Sequence, residues 1–376
     1  MKRINIIFDN TFYTFLWLQP LFEAKKHLKN AGYLLKFSRL SVFKACLFKN
    51  RLPKVRTNQK YDIVLLAFHQ KSRFCQLSIE DRKNILLTLK TNAKKIVWLD
   101  SADSTGTCLF DVLPYVDLYL KKQILKDKNL YFNHYCGGRI YIDYYSKVFS
   151  LESLKNETEI DYVVDKSSLD KIDVSWNISL WNNIVGGIRN KSKKFLSLDT
   201  VKKTRSITPF LARSVMLFFN GSCPVELSSM SFQRKRLFEI IKDYNSDSFI
   251  ADPVLLPKKD YIFMMKNAMY APSPFGWGEI CNRDFEAFFY GACLIKPSVE
   301  HIVTFPNLFI PGETYIPFKW DFSDFKSKLD FMVSKEGMLL GKSVSQKGHD
   351  LFFEFRANKG KIISDHIVDL FLKHNI

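Results

Sequence analysis

The stretch that decides the fold runs from Ala271 to Pro297 and reads APSPFGWGEICNRDFEAFFYGACLIKP. Asn267 to Ala271 is a short apolar run ending at Pro272, which reads as the end of a strand. Gly276 and Gly278 bracket Trp277, so the backbone there can turn sharply and approach another group closely. Asn282 stands where an N-cap is wanted, Arg283 to Tyr290 has helical spacing, and Gly291 is placed to stop the helix. Ala292 to Ile295 then resumes as a buried strand.

A glycine loop feeding a helix N-terminus gathers unpaired backbone N–H groups, which suits a phosphate. Arg283 and Glu286 lie three apart and share one helix face. An arginine fork can hold a phosphate, and a carboxylate one turn further can accept hydrogen bonds from two ribose hydroxyls. The spacing therefore predicts a nucleotide site. An ordinary strand–helix–strand unit carrying a surface ion pair fits the same spacing, so the glycine loop alone does not decide between them.

Outward from this stretch the strand–helix alternation continues in both directions. Ile4 to Phe8, Tyr33 to Phe37, Tyr61 to Phe68, Lys95 to Leu99 and Val116 to Leu120 are near-continuous apolar runs. Helices are expected over Phe15 to Asn30, stopped by Gly32, and from Ser78 to Leu89, where Glu80 and Asp81 suit the positive first turn. Such runs alternating with helices predict a parallel sheet covered on both faces, with ligands beyond the carboxyl ends of its strands. Asp9, His69, Asp100 and Asp103 would stand at that edge. A second series begins near Ser214: strand Val215 to Phe219 ending at Asn220-Gly221, a helix over Ser231 to Tyr244 carrying Arg234, and a helix opened by Pro257. Two helices, Lys347 to Asn358 and Lys361 to Lys373, close the chain. The fold class predicted is α/β, with two Rossmann-like parallel-sheet domains facing a cleft. Their expected extents are 1–195 and 196–345, with C-terminal helices over 346–376.

Composition narrows the setting. An apolar share of 47% with 34 phenylalanines allows a large core. No apolar run reaches the roughly eighteen residues of a transmembrane helix, and the first ten residues lack a signal-peptide core. Seven cysteines without a C-x-x-C pair point to reduced thiols buried as small hydrophobes and to a cytoplasmic location. The net charge of +18 attracts polyanions in general. Clusters such as Lys25-Lys26, Lys94-Lys95, Lys121-Lys122, Lys191 to Lys194 and Arg234 to Arg236 fit a face resting on the anionic inner surface of a membrane. Low-complexity arms and nucleic-acid modules are absent, so nucleic acid is not expected as a partner.

Several segments resemble the C-terminal half of a GT-B glycosyltransferase, of the family 1-like group that includes CgeB-type transferases. They are PFGWGE (274–279), RDFEAFFYGACLIKP (283–297) and PNLFIPGETYIPF (306–318). GT-B enzymes often carry two glutamates eight positions apart, the second opening an E-A-x-x-x-G segment; Glu286 to Gly291 is similar to that second half. The position eight before Glu286 is Gly278, and Glu279 is the nearest acid. Looser likenesses are DSADSTG (100–106), GGRIYIDYY (137–145) and FQRK (232–235).

The resemblance implies a transferase of bacterial polysaccharide or lipopolysaccharide type. It would move a sugar from a nucleotide-sugar donor, held by the second domain, to a glycan or lipid-linked acceptor held by the first. Donor contacts would come from Glu286, Arg283, Glu279, Gly276, Trp277, Gly278, Asn220, Gly221 and Arg234. Acceptor contacts would come from Arg139, Tyr135 and Asp9, with Tyr131 to Tyr145 read either as a sugar-stacking loop or as a packed turn. An inverting reaction needs a base, for which Asp103, Asp100 and His69 are the candidates; a retaining one does not. Turn capping would equally occupy Asp100 and Asp103. GT-B transferases usually use no metal, and Asp100-x-x-Asp103 lacks the spacing of a metal-binding D-x-D, so neither a metal nor a further cofactor is expected. A nucleotide- or polyanion-binding protein without transfer activity is the competing class.

Overall fold

Strand β1 (Lys2–Phe8) shows why the first half of the chain makes a buried parallel sheet. Ile4, Ile6 and Phe8 enter one apolar cluster and Ile7 a second, on the opposite face. Strand β3 (Tyr61–Phe68) divides its side chains the same way, Ile63 and Leu65 to one cluster and Val64 and Leu66 to the other. Adjacent residues alternate across a strand, so a sheet covered on both faces needs apolar residues at nearly every position. The computed structural model describes residues 1–9, 11–39, 61–151, 165–177, 208–223 and 229–376. Lys191 to Lys194 and the expected boundary at 195/196 lie outside these residues.

With β2 (Tyr33–Arg39), β4 (Ala93–Asp100), β5 (Leu118–Lys121) and β7 (Ile172–Val174), these strands form a six-stranded sheet in the order β2-β1-β3-β4-β5-β7, all pairs parallel. The second sheet joins β8 (Val215–Asn220), β9 (Phe249–Asp252), β10 (Ala268–Pro272), β11 (Cys293–Pro297) and β13 (Tyr315–Phe318) in the order β13-β11-β10-β8-β9, again all parallel. Both orders reverse direction after the first strand: between β1 and β3 in one sheet, between β8 and β10 in the other. At such a switch point the connections leave to opposite faces and open a crevice at the strands' carboxyl ends. This is the two-domain α/β architecture expected.

The two sheets are joined by more than a linker. Strand β6 (Gln123–Leu125), just past β5, pairs antiparallel with β12 (Ile302–Thr304), which follows β11. The ladder continues as Lys126 N–H donates to the His301 carbonyl at 2.8 Å, and Asn177 N–H to the Phe305 carbonyl at 2.7 Å. A 39-residue helix then runs from Lys335 to Lys373, where the sequence predicted two helices. Its start packs on the second sheet's layer and its far half on the first helix, α1 (Phe12–Asn30). Its glycines allow this contact. A Cβ at Gly348 would lie 2.8 Å from the Phe288 ring, and one at Gly360 would lie 2.9 Å from the Glu23 carbonyl. Each glycine costs a helix about 1 kcal/mol, and here close packing offsets that. The helix ends with Lys373 and His374 on Asp173 of β7.

Tyr131, Tyr141 and Tyr145 are wholly buried core residues, so of the two readings of their segment the packed turn holds, followed by a helix, α3 (Ile140–Val148, after α2, Ile79–Lys90). The helix after the glycine loop, Asn282–Tyr290, is capped by Cys281 rather than Asn282. Asp284 at its third position accepts the Cys281 N–H at 3.0 Å. Gly291 ends it in the left-handed conformation at φ 68°, as expected. Helices α4 (Ser229–Tyr244) and α5 (Lys258–Asn267) precede it, so it is α6; Phe325–Val333 is α7 and the long helix α8.

Candidate functional site

A cavity of about 600 Å³ lies at the switch point of the second sheet, beyond the ends of β8 and β10. Its floor is the start of α6. A buried ion pair fixes that start: Lys296 of β11 and Asp284, both fully buried, meet at 2.6 Å, and the same ammonium donates to the Glu279 carbonyl at 2.7 Å. The loop from Ser273 to Cys281 is held at both ends by Asp284, which accepts from Ser273 Oγ and from the Cys281 N–H, and Cys281 and Asn282 at the start of α6 line the cavity.

Two guanidinium groups converge here. Arg283, from the first turn of α6, donates Nη2 to the Asn220 carbonyl at 2.9 Å and lies 4.9 Å over the Phe219 ring. Arg234, from α4, donates Nη1 to the Ser222 carbonyl at 2.6 Å. The buried Nε–H of each has no hydrogen-bond partner, and among the described residues neither side chain has a carboxylate within ion-pair distance. Burial, with the Arg283 charge second, pulls the Arg234 pKa below its ordinary value. Two neighbouring cations with unspent donors beside a helix N-terminus are the chemistry an anion would require. Gly221 makes room for it, since a Cβ there would sit 2.9 Å from Arg283 Nη2. The Asn220 side chain shapes the wall instead. Its Nδ2 donates to the carbonyls of Asp252 (3.0 Å) and Val254 (2.7 Å), holding the loop that leads to α5.

Glu286, one turn beyond Arg283, also lines the cavity. Oε1 accepts from Lys258 Nζ at 2.9 Å and Oε2 from the Tyr261 hydroxyl at 2.6 Å. Burial and the adjacent carboxylate push the Tyr261 phenol well above its ordinary pKa, so it stays a donor. Lys258 and Tyr261 escaped the sequence reading. The signal was present: they are i and i+3 on the first turn of a helix opened by Pro257, just past a strand end.

Glu279 is not brought to the cavity. It is fully buried, and its carboxylate crosses to the first domain, accepting from Thr105 N–H (3.1 Å), Thr105 Oγ1 (2.5 Å) and Gln123 Nε2 (2.7 Å). Gly278 serves the same contact, because a Cβ there would fall 1.8 Å from the Asp103 carbonyl. Gly276 lines the cavity, and its carbonyl accepts from the Tyr141 hydroxyl at 3.1 Å. Trp277, 57% exposed, lines the rim with Arg139 5.5 Å over its ring.

From the first domain the cavity receives Asp103, Lys122 and Asn177. Asp103 is half exposed and meets Lys122 Nζ at 2.5 Å; that ammonium holds its carboxyl below the usual carboxylate range. Asp100 and His69 do not line the cavity. Asp100 is buried against Lys121 (3.1 Å), the Tyr119 hydroxyl and the Ala102 N–H (2.8 Å). His69 is partly exposed, and burial lowers its pKa. Its Nδ1 accepts the Lys71 N–H at 3.2 Å, so the neutral ring carries its proton on Nε2. Asp9 accepts from the N–H groups of His69 (2.6 Å) and Thr11 (3.0 Å), tying the switch point of the first sheet. Tyr135 is half-buried, with Asn133 Nδ2 3.3 Å from its hydroxyl. Among the described residues no three His, Cys, Asp or Glu side chains are grouped to hold a metal.

Similar outlines recur among solved structures. The Staphylococcus aureus MnaA–UDP co-structure is 13% identical, spans 100% of this chain and 97% of its own, and superposes with a TM-score of 0.42. An alpha-glucosyltransferase in complex with UDP and a 13-mer DNA is 9% identical over 95% of this chain and 96% of its own, with a TM-score of 0.42. A putative UDP-N-acetylglucosamine 2-epimerase from Listeria monocytogenes is 10% identical over 100% and 97%, with a TM-score of 0.43. No family model and no curated protein matches the sequence. The likenesses are ones of outline.

Proposed function

We propose that the chain is a glycosyltransferase that moves a sugar from a nucleotide-sugar donor to a glycan or lipid-linked acceptor in cell-surface polysaccharide or lipopolysaccharide synthesis. One observation carries the reading: two unsaturated guanidiniums at a helix N-terminus, with a carboxylate one turn further, in a cavity walled by both domains. In this reading Arg234, Arg283 and the start of α6 hold the diphosphate, and Glu286 takes a ribose hydroxyl. The sugar lies toward Asp103, whose carboxylate takes the proton of an incoming acceptor hydroxyl in an inverting transfer. The exposed bases of a chain with net charge +18 support contact with the anionic inner face of a membrane. No helix of the described residues is long and apolar enough to cross one.

A nucleotide-binding protein without transfer activity is the second reading. It is favoured by the engagement of Asp103 with Lys122 and of Asp100 with Lys121. Thermal shift across UDP-, GDP-, CMP- and dTDP-sugars, followed by donor hydrolysis assays, tests both. One donor class should stabilise the protein and be hydrolysed, and Glu286→Ala should abolish both effects. Stabilisation without turnover would leave the second reading, and no response to any nucleotide would remove both.

A further inference from the structure

Glu286 has only two carboxylate oxygens, and both are engaged inside the cavity. The Tyr261 hydroxyl, on a largely buried ring, holds Oε2. Lys258 holds Oε1 from a side chain that is 51% exposed and set over the Tyr261 ring at 4.9 Å. Each oxygen can still accept a second hydrogen bond, but the ammonium on Oε1 offsets the carboxylate's charge, so a ribose hydroxyl finds a weaker acceptor while Lys258 stays in place. A neutral hydroxyl is the weaker partner for a carboxylate, because the ammonium adds the attraction of an opposite charge to its hydrogen bond. Arg283 lies one turn from Glu286 on the same helix, so an anion held there is within a lysine's reach of Oε1.

We infer that Lys258 is a specificity-determining residue that selects phosphorylated nucleotides over bare nucleosides, by yielding Glu286 only to a ligand whose phosphates receive its ammonium. The inference rests on the nucleotide reading of the cavity. A nucleoside offers Glu286 a hydroxyl but leaves Lys258 with no anion to accept it, so the exchange is unfavourable. A nucleoside diphosphate brings both halves of the exchange: hydroxyl to Glu286, ammonium to phosphate beside the two arginines. Lys258 thus opposes one class of ligand and supports the other, which a merely structural lysine would not do.

The test is calorimetric titration of the full chain with uridine and UDP, guanosine and GDP, and adenosine and ADP, comparing the wild-type protein, Lys258→Met and Lys258→Arg. With Lys258→Met, the nucleoside of the preferred base should bind roughly tenfold more tightly and its diphosphate roughly tenfold more weakly, the scale of one charge-assisted hydrogen bond. Lys258→Arg should keep the wild-type preference. Equal changes for nucleoside and diphosphate, or none, would overturn the inference while leaving the nucleotide site standing. If the wild-type protein binds none of the six compounds, the nucleotide reading itself fails. Melting curves without ligand show whether each variant is folded, as expected for a half-exposed side chain.

Discussion

The carboxylate of Glu279 accepts both the N–H (3.1 Å) and the hydroxyl (2.5 Å) of Thr105, 174 positions earlier in the chain. With Gln123 as third donor, a fully buried side chain wires one sheet's loop to the other's. Glu279→Ala should destabilise the protein by about 3 kcal/mol, because three buried donors lose their acceptor. Urea unfolding monitored by tryptophan fluorescence measures this. A variant as stable as the wild type would show that the two halves do not depend on this link.

The neighbouring glycines should differ sharply. Gly278→Ala places a methyl 1.8 Å from the Asp103 carbonyl, whereas Gly276→Ala meets nothing nearer than the Cys281 Cβ at 3.8 Å. The first substitution should lower the melting temperature by several degrees, corresponding to roughly 1–3 kcal/mol of overpacking, and the second should change it little. Equal effects would contradict the close interdomain approach.

Arg234→Ala and Arg283→Ala should each weaken binding of a nucleoside diphosphate by roughly 10–100-fold, the loss of a charge-assisted contact. Raising the salt concentration should reduce the affinity of the wild-type protein more than that of either variant. Titration calorimetry at two salt concentrations checks both statements; unchanged affinity in both variants would move the anion site elsewhere.

Asp103 gives a pH prediction of definite sign. Lys122 holds its carboxyl below the usual range, so a base at this position stays ionised well below pH 7. The acid limb of the transfer rate should fall below about pH 4, the ordinary carboxylate value. Lys122→Met removes the largest lowering influence and should shift that limb upward. Asp103→Asn should abolish transfer while leaving diphosphate binding nearly intact. Full transfer activity in Asp103→Asn would exclude it as the base.

Asp173 couples stability to pH through the end of α8. Burial raises its carboxyl pKa, but hydrogen bonds from His374, Lys373 and the Val174 N–H outweigh that and bring it well below the usual range. A folded-state pKa lower than the unfolded one, about 3.9, adds stability that is present above that value and is lost as pH falls through the folded-state pKa. The stability difference between the wild-type protein and Asp173→Asn should therefore shrink between pH 6 and pH 2. A difference independent of pH would show that the contact carries no charge contribution.

Much of the fold was legible because strand periodicity and helix stops act locally. The apolar runs ending at Phe8, Phe68 and Phe219 are strands, and Gly291 closes its helix. The site was legible where its residues share one helix, as Arg283 and Glu286 do. Tyr131, Tyr141 and Tyr145 left two readings open because an aromatic ring serves a core and a sugar surface equally well, and composition cannot tell which side of a layer it faces; burial decides for the core.

By itself the sequence determined two parallel sheets and a helix N-terminus bearing an arginine and a glutamate, because these follow from spacings of two to four residues. Only the tertiary structure decided what those groups touch. Arg234 stands beside Arg283, Lys258 and Tyr261 occupy Glu286, Glu279 is buried in the domain contact, and Gly278 serves that contact while lining the cavity. The physical reason is range. Backbone conformation answers to near neighbours in the chain, whereas a carboxylate takes whatever donors the packed layers bring within about 3 Å, from any distance along the sequence.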